Sequence, residues 1–355
     1  MGNKLAVITG ISGQDASYLS ELLLSKDYNV IGINRRTSGN NISRLSNCID
    51  NPKFNLIEGD LCDSNSINNI IHRYKPDEFY NLAAQSHVAT SFSQPTYTFD
   101  VNAKGPLLIL EAIHQYSKHT KFYQASTSEM FGSNYSTKIN GTFVGMQPEA
   151  DSFGYINRSE EKYQDESTSL CPNSPYAVAK VAAHNLVRIY RDAYNIHASA
   201  GILFNHESER RGENFVTRKI TKYIGSLANS NDILQFPSLK LGNIDAVRDW
   251  GHARDYIEAM WRMLQQNKPD DYIIGTGEGY TVKEFLIEAF SLIGLNWEDF
   301  VEIDPSLYRP CEVPYLRCDP SKAKKVLGWK ANTTFKELVK LMVESDINEQ
   351  KNKKG

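Results

Sequence analysis

Two side chains spaced four residues apart define a piece of chemistry this sequence is able to do. In Ser174-Pro175-Tyr176-Ala177-Val178-Ala179-Lys180, a serine as N-cap and a proline at the first helical position mark a helix start. Tyr176 and Lys180 therefore share one face of that helix. An ammonium beside a phenol favours the phenolate and lowers its pKa towards neutrality. The pair then works as a general base for a hydroxyl proton. The same spacing arises by chance on solvated helices, so its weight depends on where it falls in the chain. A second candidate closes the apolar run at Ala125-Ser126-Thr127-Ser128-Glu129. Oxidising a hydroxyl needs only a base and a hydride acceptor. Eliminating water also requires removal of a carbon-bound proton and protonation of the leaving hydroxyl. Glu129 is the candidate for that extra acid/base; the plain alternative is a solvated loop carboxylate.

These residues must be carried by elements that hold them still. Short apolar runs at Lys4–Thr9, Asn29–Asn34, Phe54–Glu58, Glu78–Leu82, Lys121–Ala125 and Ala198–Phe204 read as strands. Amphipathic stretches at Ala16–Ser25, Ser66–Tyr74, Tyr97–Tyr116 and Pro175–Tyr194 separate them. The alternation predicts an α/β, Rossmann-type doubly wound parallel sheet whose apolar strands are covered on both faces. Beyond about residue 205 the pattern loosens, with a helix near Phe215–Leu227, another capped by Thr281, and a returning strand at Asp271–Gly275. The expected division is a dinucleotide domain of residues 1–204 with 242–276, and a smaller, discontinuous α/β substrate domain of 205–241 with 277–345. The polar, lysine-rich residues 346–355 read as a flexible tail.

Several turns of this sheet carry ligand chemistry. Gly10-Ile11-Ser12-Gly13-Gln14-Asp15 joins the first strand to the first helix, where glycines let the backbone approach a pyrophosphate on a helix N-terminus. Ala16 stands where the usual pattern has a third glycine. Asn34-Arg35-Arg36 ends the second strand. An acidic residue there binds a ribose 2′-hydroxyl, whereas arginines suit a 2′-phosphate, so NADP is favoured over NAD. Asp60-Leu61 falls beside the adenine, and Leu82-Ala83-Ala84-Gln85-Ser86 beside the nicotinamide. Ligands bind at the C-terminal edge of such a sheet, which turns Thr127 and Glu129 into the cleft.

Composition excludes some classes. With 355 residues, 41% of them hydrophobic and 23% charged, the chain is ordinary globular material large enough for more than one domain. A formal charge of -3 argues against a nucleic-acid binder. No apolar run approaches the roughly 20 residues a bilayer demands. The start at Met1-Gly2 shows no secretory pattern, and Ala6 stands where myristoylation expects a hydroxyl. A cytoplasmic enzyme is expected. The cysteines Cys48, Cys62, Cys171, Cys311 and Cys318 have no metal-binding spacing, so free thiols and no metal are expected, and the sequons at Asn41, Asn134, Asn157 and Asn332 carry no function.

Gly10–Asp15, Ser126–Glu129 and Ser174–Lys180 together resemble the nucleotide-sugar branch of the extended short-chain dehydrogenase/reductases. Four segments narrow the likeness: Tyr123–Glu129, Gly201–Ser208, Phe215–Ile220 and Arg248–Ala253 closely resemble the GDP-mannose 4,6-dehydratases. The resemblance implies that Tyr176 takes the C4-hydroxyl proton, Lys180 tunes Tyr176 and holds the nicotinamide ribose, and Glu129 removes the C5 proton as water leaves C6. Thr127 would bond the C4 oxygen with Ser128 assisting. It further implies cofactor contacts at Tyr97, Leu203, His206 and Arg211, and GDP-sugar contacts at Ser86, Asn205, Val216, Lys219, Arg248, Arg309 and Glu312. The cations among the latter suit a diphosphate. A homo-oligomer, tetramer or dimer, is implied as well.

Two departures stand out. The family's Ser-Pro-Arg-Arg-Gly reads Ser208-Glu209-Arg210-Arg211-Gly212 here; in the family this loop is expected to reach a neighbouring subunit, and Glu209 adds charge and loses rigidity. Residues 133–162 carry about twenty extra residues following the strand of Glu129, either a surface or assembly elaboration or a lid that admits a bulkier sugar such as a GDP-heptose. The competing functions are a C4-epimerase or reductase on the same fold, against which Glu129 argues, a 4,6-dehydratase of another GDP-sugar, and a non-catalytic NADP-binding protein.

Overall fold

The computed structural model describes residues 3–38, 42–143 and 156–354. The Met1-Gly2 start, the Asn41 sequon and the middle of the 133–162 insert lie outside the described residues. Within them, the central sheet contains strands Leu5–Thr9, Asn29–Asn34, Phe54–Glu58, Glu78–Asn81, Lys121–Thr127, Ala198–Leu203 and Tyr272–Ile274. Every pairing in it is parallel. Counted in that sequence, the strands lie side by side as 7-6-5-4-1-2-3. The order reverses between the first and fourth strands, which is where a doubly wound sheet opens a crevice at its C-terminal edge. Ala6, Val7, Ile8, Phe79 and Phe122 are wholly buried, as expected of strands covered on both faces.

Most element ends fall within two residues of the sequence expectation; the differences have local causes. The fifth strand runs on past Ala125, pairing Ser126 with Ile202 and Thr127 with Leu203. Its polar end carries no apolar period, so only the neighbouring strand reveals it. The expected single helix Tyr97–Tyr116 is instead a short helix Pro95–Phe99, a wide π-turn Asp100–Lys104 and a helix Gly105–Tyr116. Pro106 cannot donate a backbone hydrogen bond, which relaxes the helix at that point. The helix Pro175–Tyr194 stands as read, with the Ser174 hydroxyl accepting from the Ala177 N–H at 3.1 Å.

The second lobe packs helices Val216–Ala228, Val282–Ser291 and Phe335–Lys354 around Ile224, Trp250, Phe285 and Met342. Thr281 and Glu284 form the reciprocal cap of the middle helix. The tail expected at 346–355 is corrected in part: the last helix continues to Lys354 and is anchored as far as Glu349, while residues 351–353 are exposed. Asp346 is fully buried and lies 2.9 Å from Arg218, and Glu349 lies 2.6 Å from Lys222. Lysine-rich composition signals fraying only where nothing packs on the helix. Short strands complete the lobe, Val247–Arg248 pairing with Tyr280–Thr281 and with Tyr315–Leu316. In the insert, Ser136–Phe143 and Ile156–Tyr163 form an antiparallel ribbon. Its base is pinned to the second lobe, where the Tyr315 hydroxyl donates to the Lys162 carbonyl at 2.8 Å and Arg317 faces Glu161.

At the opposite edge of the sheet, Glu78 is fully buried and ties three elements together. It accepts from Lys4 at 3.1 Å, Tyr28 and Gln265 at 3.0 Å, and Tyr80 at 2.7 Å. Glu78→Leu strands these donors, the wholly buried Tyr80 hydroxyl among them, and is expected to cost about 2–4 kcal/mol, read as a lower urea midpoint.

Candidate active site

The switch point opens into a cavity of about 360 Å³. Gly10 forms its floor with φ at +67°, and a Cβ there would stand 2.8 Å from the Ala83 backbone. Only glycine permits that turn and that approach. Gly13 donates to the Gly10 carbonyl at 2.8 Å, and the helix Gln14–Ser25 starts from it with no side-chain cap. Its free N–H groups leave a built anion site. Ser12, Gln14 and Asp15 line the cavity with the two glycines, whereas Ile11 is turned into the core. Arg35, Asp60, Leu61, Leu82, Ala83, Ala84, Ser86, Tyr97 and Arg211 make up the walls. Arg35 donates to the Tyr97 hydroxyl at 2.5 Å, while Arg36 is exposed outside the wall and Thr37 takes a place in it. Thr37, Gly59 and Val101 carry no motif, so sequence reasoning passed over them.

Gln85 and His206 stand behind the wall and hold it. The Gln85 N–H donates to Asn102 at 2.9 Å. His206 Nε2 meets the Asp15 carboxylate at 2.7 Å and Nδ1 meets the Phe204 carbonyl at 2.8 Å. Burial pulls His206 down, but the Asp15 charge outweighs it and the imidazole ends raised; Asp15 is correspondingly lowered against its own burial. Leu203 is buried in the main core.

A second cavity of about 320 Å³ adjoins the first, since Ser86 borders one and His87 the other. Asn205, Val216, Lys219, Arg248, Arg309 and Glu312 all line it, together with His87, Lys240 and Asn243, which the sequence did not single out. It is strongly cationic. Burial, then Lys219 and Arg309, lower the His87 pKa. Burial first, with Arg309 adding to it, also lowers Arg248. A diphosphate offsets such crowding.

The remaining candidates line neither cavity themselves but stand near residues of both: Glu129 pairs with Arg309 of the second, and the charges of Asp15 and Arg211 of the first act on Tyr176. Glu129 is nearly buried, and its carboxylate accepts from Arg309 at 3.2 Å, from the far lobe. The Thr127 hydroxyl accepts from the Glu129 N–H at 3.3 Å and draws the Tyr176 pKa down, while the Glu129 charge acts on that same phenol and raises it. Ser128 is buried beside them. The phenol and the carboxylate are therefore near enough for the charge of one to shift the other. The expected softening of Tyr176 fails in this state: burial raises it to about 12 despite Thr127. Lys180 gives its ammonium to the Ala125 carbonyl at 2.8 Å and stands 5.8 Å from the phenol ring. Burial lowers Lys180 to about 8.

Over residues 7–150 and 150–342 the sequence matches a family model described as GDP-mannose 4,6 dehydratase. The chain belongs to that family. It is 48% identical over 361 residues to GDP-mannose 4,6 dehydratase 1 of Arabidopsis thaliana, covering 99% of this chain and 92% of that protein. It is 43% identical over 378 residues to GDP-mannose 4,6-dehydratase of Vibrio cholerae, covering 97% and 94%. In fold it resembles DesIV, a dTDP-glucose 4,6-dehydratase of Streptomyces venezuelae, with TM-score 0.79, 20% identity and coverage of 99% and 98%. It also resembles UDP-glucose 4-epimerase of Thermotoga maritima, with TM-score 0.77, 23% identity and coverage of 97% and 99%. Dehydratases and epimerases share this fold, so the fold by itself does not separate elimination from epimerisation.

Proposed function

We propose that the chain converts GDP-mannose to GDP-4-keto-6-deoxymannose and water, using NADP, with Tyr176 and Glu129 as the two proton-transferring groups. The observation that carries this reading is the position of Glu129, which pairs with Arg309 at 3.2 Å and whose charge acts on both Arg248 and the Tyr176 phenol. Residues 1–204 with Arg211 take the cofactor, and residues 205–250 with 282–312 supply most of the GDP-sugar cavity, so that Arg248, which the sequence reading set in the cofactor domain, serves the sugar side. Lys219, Arg248 and Arg309 face the diphosphate, and Asn205, Val216, Ser86 and Glu312 orient the sugar and base.

The chemistry a bound nicotinamide supplies is a hydride accepted from C4 and returned at C6, leaving no net change in it. Tyr176 removes the C4-hydroxyl proton, and Thr127 holds the developing carbonyl oxygen. That carbonyl acidifies C5, from which Glu129 takes the proton and passes it to the C6 hydroxyl, so that the C5 electron pair forms the C5–C6 double bond as water leaves; once C6 is reduced, the proton held by Tyr176 goes to C5. The high pKa of Tyr176 in the free enzyme makes its deprotonation dependent on a cation placed beside it, and Lys180, 5.8 Å from the ring, is the cation this chain supplies.

NADP is favoured by Arg35 in the wall and by the absence of a carboxylate at the end of the second strand. A homo-oligomer, dimer or tetramer, is supported by Val178 and Ile189, exposed on one face of the helix Pro175–Tyr194. Among the described residues no helix is long and apolar enough to cross a membrane.

The test is incubation with a panel of nucleotide sugars and either NADP or NAD, followed by mass spectrometry. GDP-mannose with NADP should yield a product lighter by one water with no accumulation of NADPH. An epimerase gives no such product, and a preference for a GDP-heptose moves the substrate assignment. Arg248→Met should raise KM for GDP-mannose about 100-fold with a smaller change in kcat, measured by steady-state kinetics, because a buried diphosphate contact is lost.

A further inference from the structure

The loop 208–212 carries a carboxylate that takes no part in the reaction above. Glu209 Oε1 accepts from the Tyr18 hydroxyl at 2.8 Å, on the helix that starts at the dinucleotide cavity. Its Oε2 faces His252 Nε2 at 3.3 Å. His252 Nδ1 accepts the Arg254 N–H at 3.0 Å, which leaves the imidazole proton on Nε2, directed at Glu209. Arg254 adds its guanidinium at 3.7 Å. The flanking residues bind the same helix: Ser208 donates to Gln14 at 2.7 Å, and Arg210 donates to Ser17 at 3.0 Å and Glu21 at 2.8 Å. Arg210 also lies over the Tyr18 ring at 4.0 Å. Burial pushes the Glu209 carboxyl up, but the His252 and Tyr18 contacts outweigh it and bring it down to about 2, so it stays charged at any working pH.

Just past this clasp comes Arg211, which lines the dinucleotide cavity. It is set between the Phe215 ring, at 3.6 Å, and the Glu207 carboxylate, at 3.0 Å. An arginine on a loop has many rotamers and pays entropy for each phosphate it grips. Fixing its backbone removes part of that loss. The loosening expected of a glutamate in place of the family's proline is thus replaced by a set of tertiary anchors.

We propose that Glu209 is a positioning residue for the cofactor, clasping its loop to its own chain so that Arg211 meets a dinucleotide phosphate in the same subunit. This rests on the dinucleotide reading of the cavity. Fluorescence titration with NADPH and with NADH, on the full chain, tests it through Glu209→Ala, Arg211→Ala and the double variant. Glu209→Ala is expected to weaken NADPH binding about tenfold, the effect of losing one charge-assisted contact, with KM for GDP-mannose unmoved. The double variant should bind no worse than Arg211→Ala alone, because Glu209 acts through Arg211. Glu209→Gln, which keeps an acceptor for Tyr18, should recover most of the affinity. Tyr18→Phe, which keeps the ring in the core, should lose a few-fold and serves if Glu209→Ala does not fold. Wild-type affinity in both Glu209→Ala and Tyr18→Phe, or full additivity in the double variant, overturns the proposal. Unchanged affinity in Arg211→Ala overturns it too, whereas a wild-type chain that binds neither dinucleotide overturns the cofactor reading beneath it.

Discussion

Glu129→Gln is expected to bind cofactor and GDP-sugar and to form no 4-keto-6-deoxy product, with turnover lower by about 10²–10⁴-fold. The amide is nearly isosteric and can still accept from Arg309, which sits 3.2 Å from the carboxylate. What it loses is the ability to take a proton from carbon. Tyr176 and Thr127 remain, so oxidation at C4 can still proceed, and the variant isolates the elimination step. In deuterated water, exchange at C5 should vanish along with dehydration, and mass spectrometry of recovered GDP-sugar reads both. Normal turnover by this variant would remove Glu129 from the mechanism.

Lys180→Met should lose activity by at least about 100-fold and yet melt at a higher temperature than the natural chain at pH 7. Lys180 is 3% exposed, and burial lowers its pKa from 10.5 to about 8. The folded state thus binds the ammonium proton less well than the unfolded chain does. The sign follows directly. Below pH 8 the lysine is charged in both states, and the full cost of burying that charge weighs on the fold. Between pH 8 and 10.5 the folded lysine is neutral while the unfolded one is still protonated, so raising the pH relieves the cost. The shift corresponds to a few kcal/mol, of order 3. Loss of the 2.8 Å bond to Ala125 returns about 1 kcal/mol of that. A net gain of about 1–3 kcal/mol in the variant should shrink as pH rises from 8 towards 10.5, which calorimetry across that range measures. A variant less stable than the natural chain at pH 7 would mean that the ammonium is well solvated in the fold. Cofactor binding by the natural chain should weaken over the same pH interval, as the charge beside the phenol is lost.

The regular elements and the reactive pair were open to sequence reasoning because each is decided within a few residues. Alternating apolar runs mark buried strands, Ser174 and Pro175 start a helix through their own backbone geometry, and Gly10 is required by the turn it makes. The spacing of Tyr176 and Lys180 on one helical face follows from the helix alone. Family likeness extended this to Asn205, Val216, Lys219, Arg248, Arg309 and Glu312, which no local rule marks, and the structure gathers all of them around one cavity.

Composition and period do not reach the contacts between distant segments. The meeting of Glu129 with Arg309, of Asp15 with His206 and of Glu209 with Tyr18 and His252 depends on strand order and on how the second lobe lies against the sheet. The same holds for Asp346, whose burial against Arg218 turns a lysine-rich end into the last turns of a packed helix. It holds also for Tyr176, where a neighbouring lysine read along the helix promised a softened phenol and burial raised it instead. Propensities and caps act over a turn or two of chain, whereas desolvation and ion pairing are set by whatever the tertiary packing brings alongside.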